Sequence, residues 1–178
     1  MKIKFLAFFV VLLLVSKSQA AFDMFLKVDG IDGESLLKGH EKEIDVLAWS
    51  WGVSTPVTIS GGGTSAGKAN FTDISFTKYA DTASPLLMLS TARGTHIPTV
   101  VFTVMKSGAA GLANYYRITL TEVLVTSVST GGSDGESRLT ENISLNYRTI
   151  KVEYFPQKPD GSIGLPVIFN WNLATNTQ

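Results

Sequence analysis

Gly131 to Asn146 reads GGSDGESRLTENISLN, a glycine-rich, mixed-charge turn that runs into a strand-like segment. Aspartate and glycine at positions 134 and 135 suit the backbone angles of a tight reversal. Downstream, Leu139, Ile143, Leu145 and Tyr147 share one parity, and Ile150, Val152 and Tyr154 share the other. That switch near Arg148 implies a bulge or a break between two strands. Upstream, Tyr116, Ile118 and Leu120 alternate with Arg117, Thr119 and Thr121, and the pattern continues through EVLVTSVS to the turn. Period-two alternation on both sides of a glycine turn makes this half of the chain β.

Phe22, Met24, Leu26 and Val28 alternate with Asp23, Lys27 and Asp29, which predicts a half-buried strand. Phe25 interrupts the alternation and implies that part of the second face is covered as well. Glu34 to Glu43 reads as a polar loop. Ile44 to Gly52, IDVLAWSWG, is apolar on both faces and predicts a buried strand. Thr55 to Asn70 is rich in Gly, Ser and Thr and predicts a long exposed loop, a length that is usually functional or disordered. Phe71 to Tyr79 resumes as a strand. Val100, Phe102 and Val104 mark another, followed by the loop SGAAGLAN from Ser107. Leu165, Val167, Phe169, Trp171 and Leu173 form a last one, which Pro166 places at an edge.

One helix is signalled. Ser84 is expected to cap it, Pro85 suits its first position, and LLMLSTAR follows. Gly94 is placed to end it in a left-handed conformation, with Arg93 favourable at the negative end of the dipole. Leu86, Leu87, Met88 and Leu89 are expected to bury most of its surface. Seven or eight strands with one short helix argue for a β-barrel or a sandwich. There is no internal repeat, domain linker or heptad pattern.

Residues 1–20 read as a secretory signal peptide rather than part of the domain, which then covers 21–178. Met1 to Lys4 is basic, Phe5 to Val15 is an unbroken run of eleven apolar residues, and Ser18 and Ala20 suit cleavage before Ala21. Eleven residues span about 16 Å as a helix, roughly half a hydrocarbon core, so a stable membrane anchor is not expected. Removing Lys2, Lys4 and Lys17 from 15 basic residues leaves 12 against 15 acidic ones, a net charge of −3. Nucleic acid is therefore an unsuitable partner, because phosphates demand clustered Lys and Arg. The chain has no cysteine, so packing alone must hold the domain.

Motifs that resemble catalytic ones lack their partners. Gly62 to Ala69, GGTSAGKA, has phosphate-loop spacing through Lys68, but Ala69 stands where a magnesium-binding hydroxyl is needed and no helix follows. Ser65 with Lys68 and Ser75 with Lys78 are S-x-x-K pairs without a K-T-G partner, and Lys78 is expected on an exposed strand face. His40, expected in a solvated loop, and His96, at a strand start, are the only histidines and have no ligand cluster nearby. Asp134, Glu136 and Glu141 lack the ligand order of a calcium loop. Trp49 and Trp51 would form a sugar platform only if both were exposed on one face; the apolar run favours packing in a core or interface. No cofactor, metal site or enzymatic activity is expected.

Several runs together resemble the haemolysin-coregulated protein (Hcp) family, the inner-tube subunit of type VI secretion systems. They are DMFLKVDGIDGES from Asp23, EIDVLAWSWG from Glu43, FTDISFTKYADTASPLLM from Phe71, EVLVTSVSTGGSDGESRLTENISLNY from Glu122, PQKPDG from Pro156 and FNWN from Phe169. The resemblance implies a mainly β fold, a compact β-barrel of two antiparallel sheets with one short flanking helix, assembling as a hexameric ring. Rings stack into a tube that a contractile sheath expels behind a spike protein, and small effector proteins are held inside.

On that resemblance Ser50 matches a channel-facing position that contacts cargo. The stretch around Thr55, Gly61, Gly62 and Gly63 resembles the extended loop that reaches neighbouring subunits or rings. Asp134, Glu136, Arg138 and Glu141 are candidates for subunit contacts. The signal-like segment ending at Ala20 and Ala21 departs from the family's pattern. It leaves open a stand-alone ring exported by the general secretory route, an adhesin or a periplasmic holder of small proteins.

Overall fold

The computed structural model describes residues 22–60, 63–108 and 111–178. The signal-like segment with Ala20 and Ala21, together with Gly61 and Gly62, lies outside the described residues.

Among the described residues twelve strands and one helix follow one another. They are β1 (Phe22–Val28), β2 (Ile44–Ser50), β3 (Val53–Ser54), β4 (Val57–Ser60), β5 (Gly63–Ala66), β6 (Asn70–Phe71), β7 (Ile74–Tyr79), α1 (Ser84–Arg93), β8 (His96–Gly108), β9 (Gly111–Gly131), β10 (Thr140–Asn146), β11 (Thr149–Tyr154) and β12 (Val167–Asn172). Eight form an antiparallel sheet in the order β10-β7-β2-β1-β8-β9-β11-β12, and a further pairing of β10 with β9 closes it into a barrel. The expected two antiparallel sheets share β9. Its N-terminal part pairs with β8 and β11, and its C-terminal part, Leu124 to Gly131, pairs with β10.

β9 can serve both because it bends. Leu120 and Val123 both point into the core although three positions separate them, and Glu122 between them has φ +51°. Thr126 is a second extra residue, opposite the step from Ser144 to Leu145. Each insertion sharpens the local twist and turns the strand. The uninterrupted alternation expected through EVLVTSVS is thus broken twice. The switch expected near Arg148 is present as the gap between β10 and β11.

The core lies inside the closed sheet: Leu26, Ile44, Ile74, Phe76, Phe102, Ile118, Leu120, Ile143 and Leu145 are almost fully buried. Phe25 is buried on the other face of β1, stacked on the His40 ring with centroids 4.5 Å apart. His40 therefore does not sit in a solvated loop. Its Nδ1 lies 2.8 Å from Glu43 Oε2, so the polar segment folds back onto the barrel. β2 is not buried on both faces, because a bulge at Leu47 turns Leu47, Ala48 and Ser50 outward.

The helix ends as expected, with Gly94 in the left-handed region and Arg93 in its last turn. Its start differs: Ser84 is the first helical residue and makes no side-chain cap. Asp81 takes that part, its Oδ1 accepting from Ala83 N at 3.0 Å. Of the four apolar residues, Leu87 alone is buried, and Leu86, Met88 and Leu89 are exposed. The helix lies on the barrel by one narrow stripe rather than being engulfed.

Gly33 allows the closest backbone approach. A Cβ there would lie 2.5 Å from the Glu43 carbonyl oxygen and 2.7 Å from Ile44 Cα, and those backbone atoms cannot swing aside. Gly33→Ala should destabilise the fold by about 1–3 kcal/mol, an overpacking penalty. Urea unfolding at equilibrium measures it.

Candidate functional site

The largest departure from the expected fold is the segment 55–70. It is not a loop but an arm of two stacked ribbons. β3 pairs with β6 at its base, β4 pairs with β5 beyond, and Gly67 N donates to Pro56 O at 2.8 Å between them. Val57 and Ile59 alternate with threonine and serine, a four-residue strand pattern that the Gly and Ser composition conceals. The arm has no core of its own. Ile59 is 81% exposed, Val57 and Val53 are exposed too, and Thr55 and Gly63 lie on its surface. The arm thus leaves Val53, Val57 and Ile59 as apolar side chains in solvent, the kind of exposed patch that marks an interaction surface in other proteins.

The base of the arm is fastened to the barrel. Trp51 Nε1 donates to Tyr147 Oη, and the Tyr147 hydroxyl donates to Thr72 O at 3.2 Å. Burial, with a smaller contribution from the Asp73 carboxylate, pushes the Tyr147 phenol above its ordinary pKa against the opposing Trp51 hydrogen bond, so it remains a donor. Phe71 packs between Trp51 and Trp171. Trp49 packs on Phe102 and Tyr116. Both tryptophans of β2 and its exit therefore serve packing, as the apolar run suggested.

Among the described residues β12 is the open edge of the sheet: it pairs with β11, and on its other side Asn172 alone bridges to Thr177. Pro166 precedes it as expected. Leu165 and Val167 are 89% and 66% exposed, and Ile168 and Phe169 are exposed as well. An unpaired apolar edge is a template for another chain.

Ser50 is exposed on the outer face of β2. Asp134 and Glu136 are exposed in the glycine turn, and the Arg138 guanidinium lies 4.2 Å from the centre of the Tyr79 ring. Turn and arm lie at opposite ends of β7, because Thr140 pairs with Tyr79 whereas the arm enters at Ile74.

Glu141 is in a different place from its neighbours in sequence. It is 2% exposed, facing inward from β10 directly opposite Lys78 of β7, which is 0% exposed. Lys78 is thus not on an exposed strand face. Its Nζ lies 2.8 Å from Glu141 Oε2, 2.6 Å from Asp81 Oδ1 and 2.9 Å from Ser84 Oγ. Ser84 in turn donates to Glu141 Oε2 at 2.6 Å. Strand parity explains the placement: Lys78 continues the inward positions of Ile74 and Phe76, and Glu141 those of Ile143 and Leu145. Alternation counted from Ile143 could have signalled it. Among the described residues no three His, Cys, Asp or Glu side chains are grouped to hold a metal ion.

The model of the family described as "Type VI secretion system effector, Hcp" matches residues 25–154. The chain belongs to the Hcp family. It is 51% identical over 160 residues to protein hcp1 of Pseudomonas aeruginosa PAO1, covering 89% of this chain and 99% of that one. The solved structure of a type six secretion system protein superposes with a TM-score of 0.82 at 32% identity, covering 88% of this chain and 99% of its own. Hcp1 from Salmonella typhimurium gives 0.71 at 35% identity, with 88% and 98% covered. The closed barrel with its flanking helix is therefore the Hcp fold.

Removing the Tyr147 hydroxyl tests how the arm is held. Tyr147→Phe strands a half-buried indole N–H and should cost about 1–3 kcal/mol. Hydrogen exchange at the Val53 and Phe71 amides should quicken more than exchange at Ile118.

Proposed function

We propose that this chain is the structural subunit of a type VI secretion inner tube, a protein that works by assembly and not by catalysis. Six copies form a ring, and rings stack into a tube whose channel holds small effector proteins. Its further partners are the sheath around the tube and the spike at its tip. The observation that carries this reading is the pair of surfaces a lone subunit leaves unsatisfied, the coreless arm and the apolar open edge of β12. Each offers strand edges or apolar side chains that a neighbour covers in a closed, head-to-tail ring. The family membership and the 51% identity to protein hcp1 support it.

In this reading Ser50 faces the channel. Thr55, Gly61, Gly62 and Gly63 belong to the contact made by the arm. Asp134, Glu136 and Arg138 belong to contacts at the opposite end of β7, and Glu141 serves the interior of the subunit. A second reading is favoured by residues 1–20 alone, which have the three parts of an export signal. It makes the protein a ring released through the general secretory route, with Ala21 as its mature N-terminus.

Sizing and electron microscopy of the purified chain should show a ring of about six subunits, whereas a stable monomer would contradict both readings. Release into the medium should stop in a strain lacking the sheath, and the released protein should not begin at Ala21. Sheath-independent release of a chain beginning at Ala21 would replace the tube by the exported ring.

A further inference from the structure

Four adjacent strands of the barrel, β2, β7, β10 and the C-terminal part of β9, present one continuous outer face. Their register aligns its residues in rows. Ser50 stands opposite Ser75, Ser75 opposite Ser144, and Ser144 opposite Ser127. The next row runs Ala48, Thr77, Asn142 and Ser129. All eight are exposed or half-exposed, none is ionisable, and seven carry a hydroxyl or an amide.

Neutrality here is not due to a lack of charged residues in these strands. Lys78 lies beside Thr77, and Glu141 beside Asn142, yet both point inward and pair with each other. Charge returns outside these two rows, where Asp45 of β2 is exposed. Arg138 lies over Tyr79 at one end, and at the other Asp73 accepts from Thr126 Oγ1 at 2.6 Å and from Asn146 Nδ2 at 2.7 Å. Within the face the side chains tie to one another across strands. Ser75 and Ser144 hydroxyls lie 3.0 Å apart, and Thr77 donates to Asn142 Oδ1 at 2.7 Å. Such lateral bonds hold short side chains flat against the sheet and leave the remaining lone pairs and N–H groups for water or a partner.

From this we infer that the face is a charge-neutral, hydrogen-bonding channel wall that takes small protein cargo through hydroxyl and amide contacts without sorting it by net charge. The inference rests on the ring reading and extends the single position Ser50 to a wall in which Thr77, Asn142 and Ser129 act with it. A concave surface lined by one sign of charge concentrates its counter-charge and repels the other. This wall does neither, and its contacts do not weaken as salt screens charge. Water-bridged hydrogen bonds on such a surface hold cargo without the fixed geometry of ion pairs.

The absence of native cysteine makes the test clean, since Ala48→Cys or Ser129→Cys introduces the only thiol. Each full-length variant, assembled as rings, is reacted with a cationic trimethylammonium-ethyl and an anionic sulfonatoethyl methanethiosulfonate. The ratio of the two rates should stay within about threefold of the ratio for a free cysteine amide. Raising salt from about 50 to about 500 mM should change it less than about twofold. Adding Asn142→Lys should turn the ratio at position 129 toward the anionic reagent by about fivefold or more. A bias beyond about tenfold in the unsubstituted wall would overturn the inference. So would rings in which neither position reacts, or rings that fall apart on Ala48→Cys and Ser129→Cys, because the face would then lie between subunits. If the unsubstituted chain is itself a monomer, it is the ring reading that fails.

Discussion

The contact between the Lys78 ammonium and the Glu141 carboxylate, 2.8 Å apart inside the barrel, is the constraint on which the other features depend. The two residues are direct cross-strand partners on β7 and β10, so their pairing sets that register. A slip of β7 by one residue would expel Lys78, leave Glu141 buried without its cation, and turn the hydroxyls of Ser75 and Thr77 toward Phe102 and the rest of the core. Burying two charges is favourable only where further hydrogen bonds complete their shells. Here Asp81 and Ser84 do so, and both belong to the turn and first residue of α1. The same cluster thus places the helix, which otherwise rests on the barrel mainly through Leu87.

From that register follows the division of the surface. With the ionisable groups of β7 and β10 turned in, the outer face of these strands is left to small neutral side chains. The charges of the glycine turn, Asp134, Glu136 and Arg138, are confined to one end of β7, and the arm to the other. β9 closes the barrel because Glu122 and Thr126 bend it, letting one strand of 21 residues serve two pairings. The open edge of β12 and the exposed arm are what the closed barrel leaves over.

Much of this was legible in the amino-acid order. Period-two alternation located most strands, Pro85 and Gly94 bracketed the helix, and the parity switch at Arg148 separated β10 from β11. The misreadings have definite physical causes. Lys78 and Glu141 read as surface residues because composition alone does not reveal a buried partner 63 positions away; parity from Phe76 and Ile143 does. The arm read as a loop because its strands are four residues long and face no core, so no apolar stripe marks them. The bends at Leu47, Glu122 and Thr126 shift parity by single residues, which pattern reading absorbs as noise. Ser84 looked like a cap because it precedes proline, yet its hydroxyl was claimed by Lys78 and Glu141.

Combining Lys78→Met with Glu141→Gln tests the central constraint most directly. Lys78→Met alone leaves two buried carboxylates without their cation and should destabilise the protein by about 3–5 kcal/mol. If the pair sets the register by charge, neutralising Glu141 as well should restore at least about 1 kcal/mol, making the double variant more stable than Lys78→Met. Equilibrium unfolding of the three variants beside the unsubstituted chain reads this. A double variant no more stable than Lys78→Met would show that the two charges are not coupled and would contradict the account.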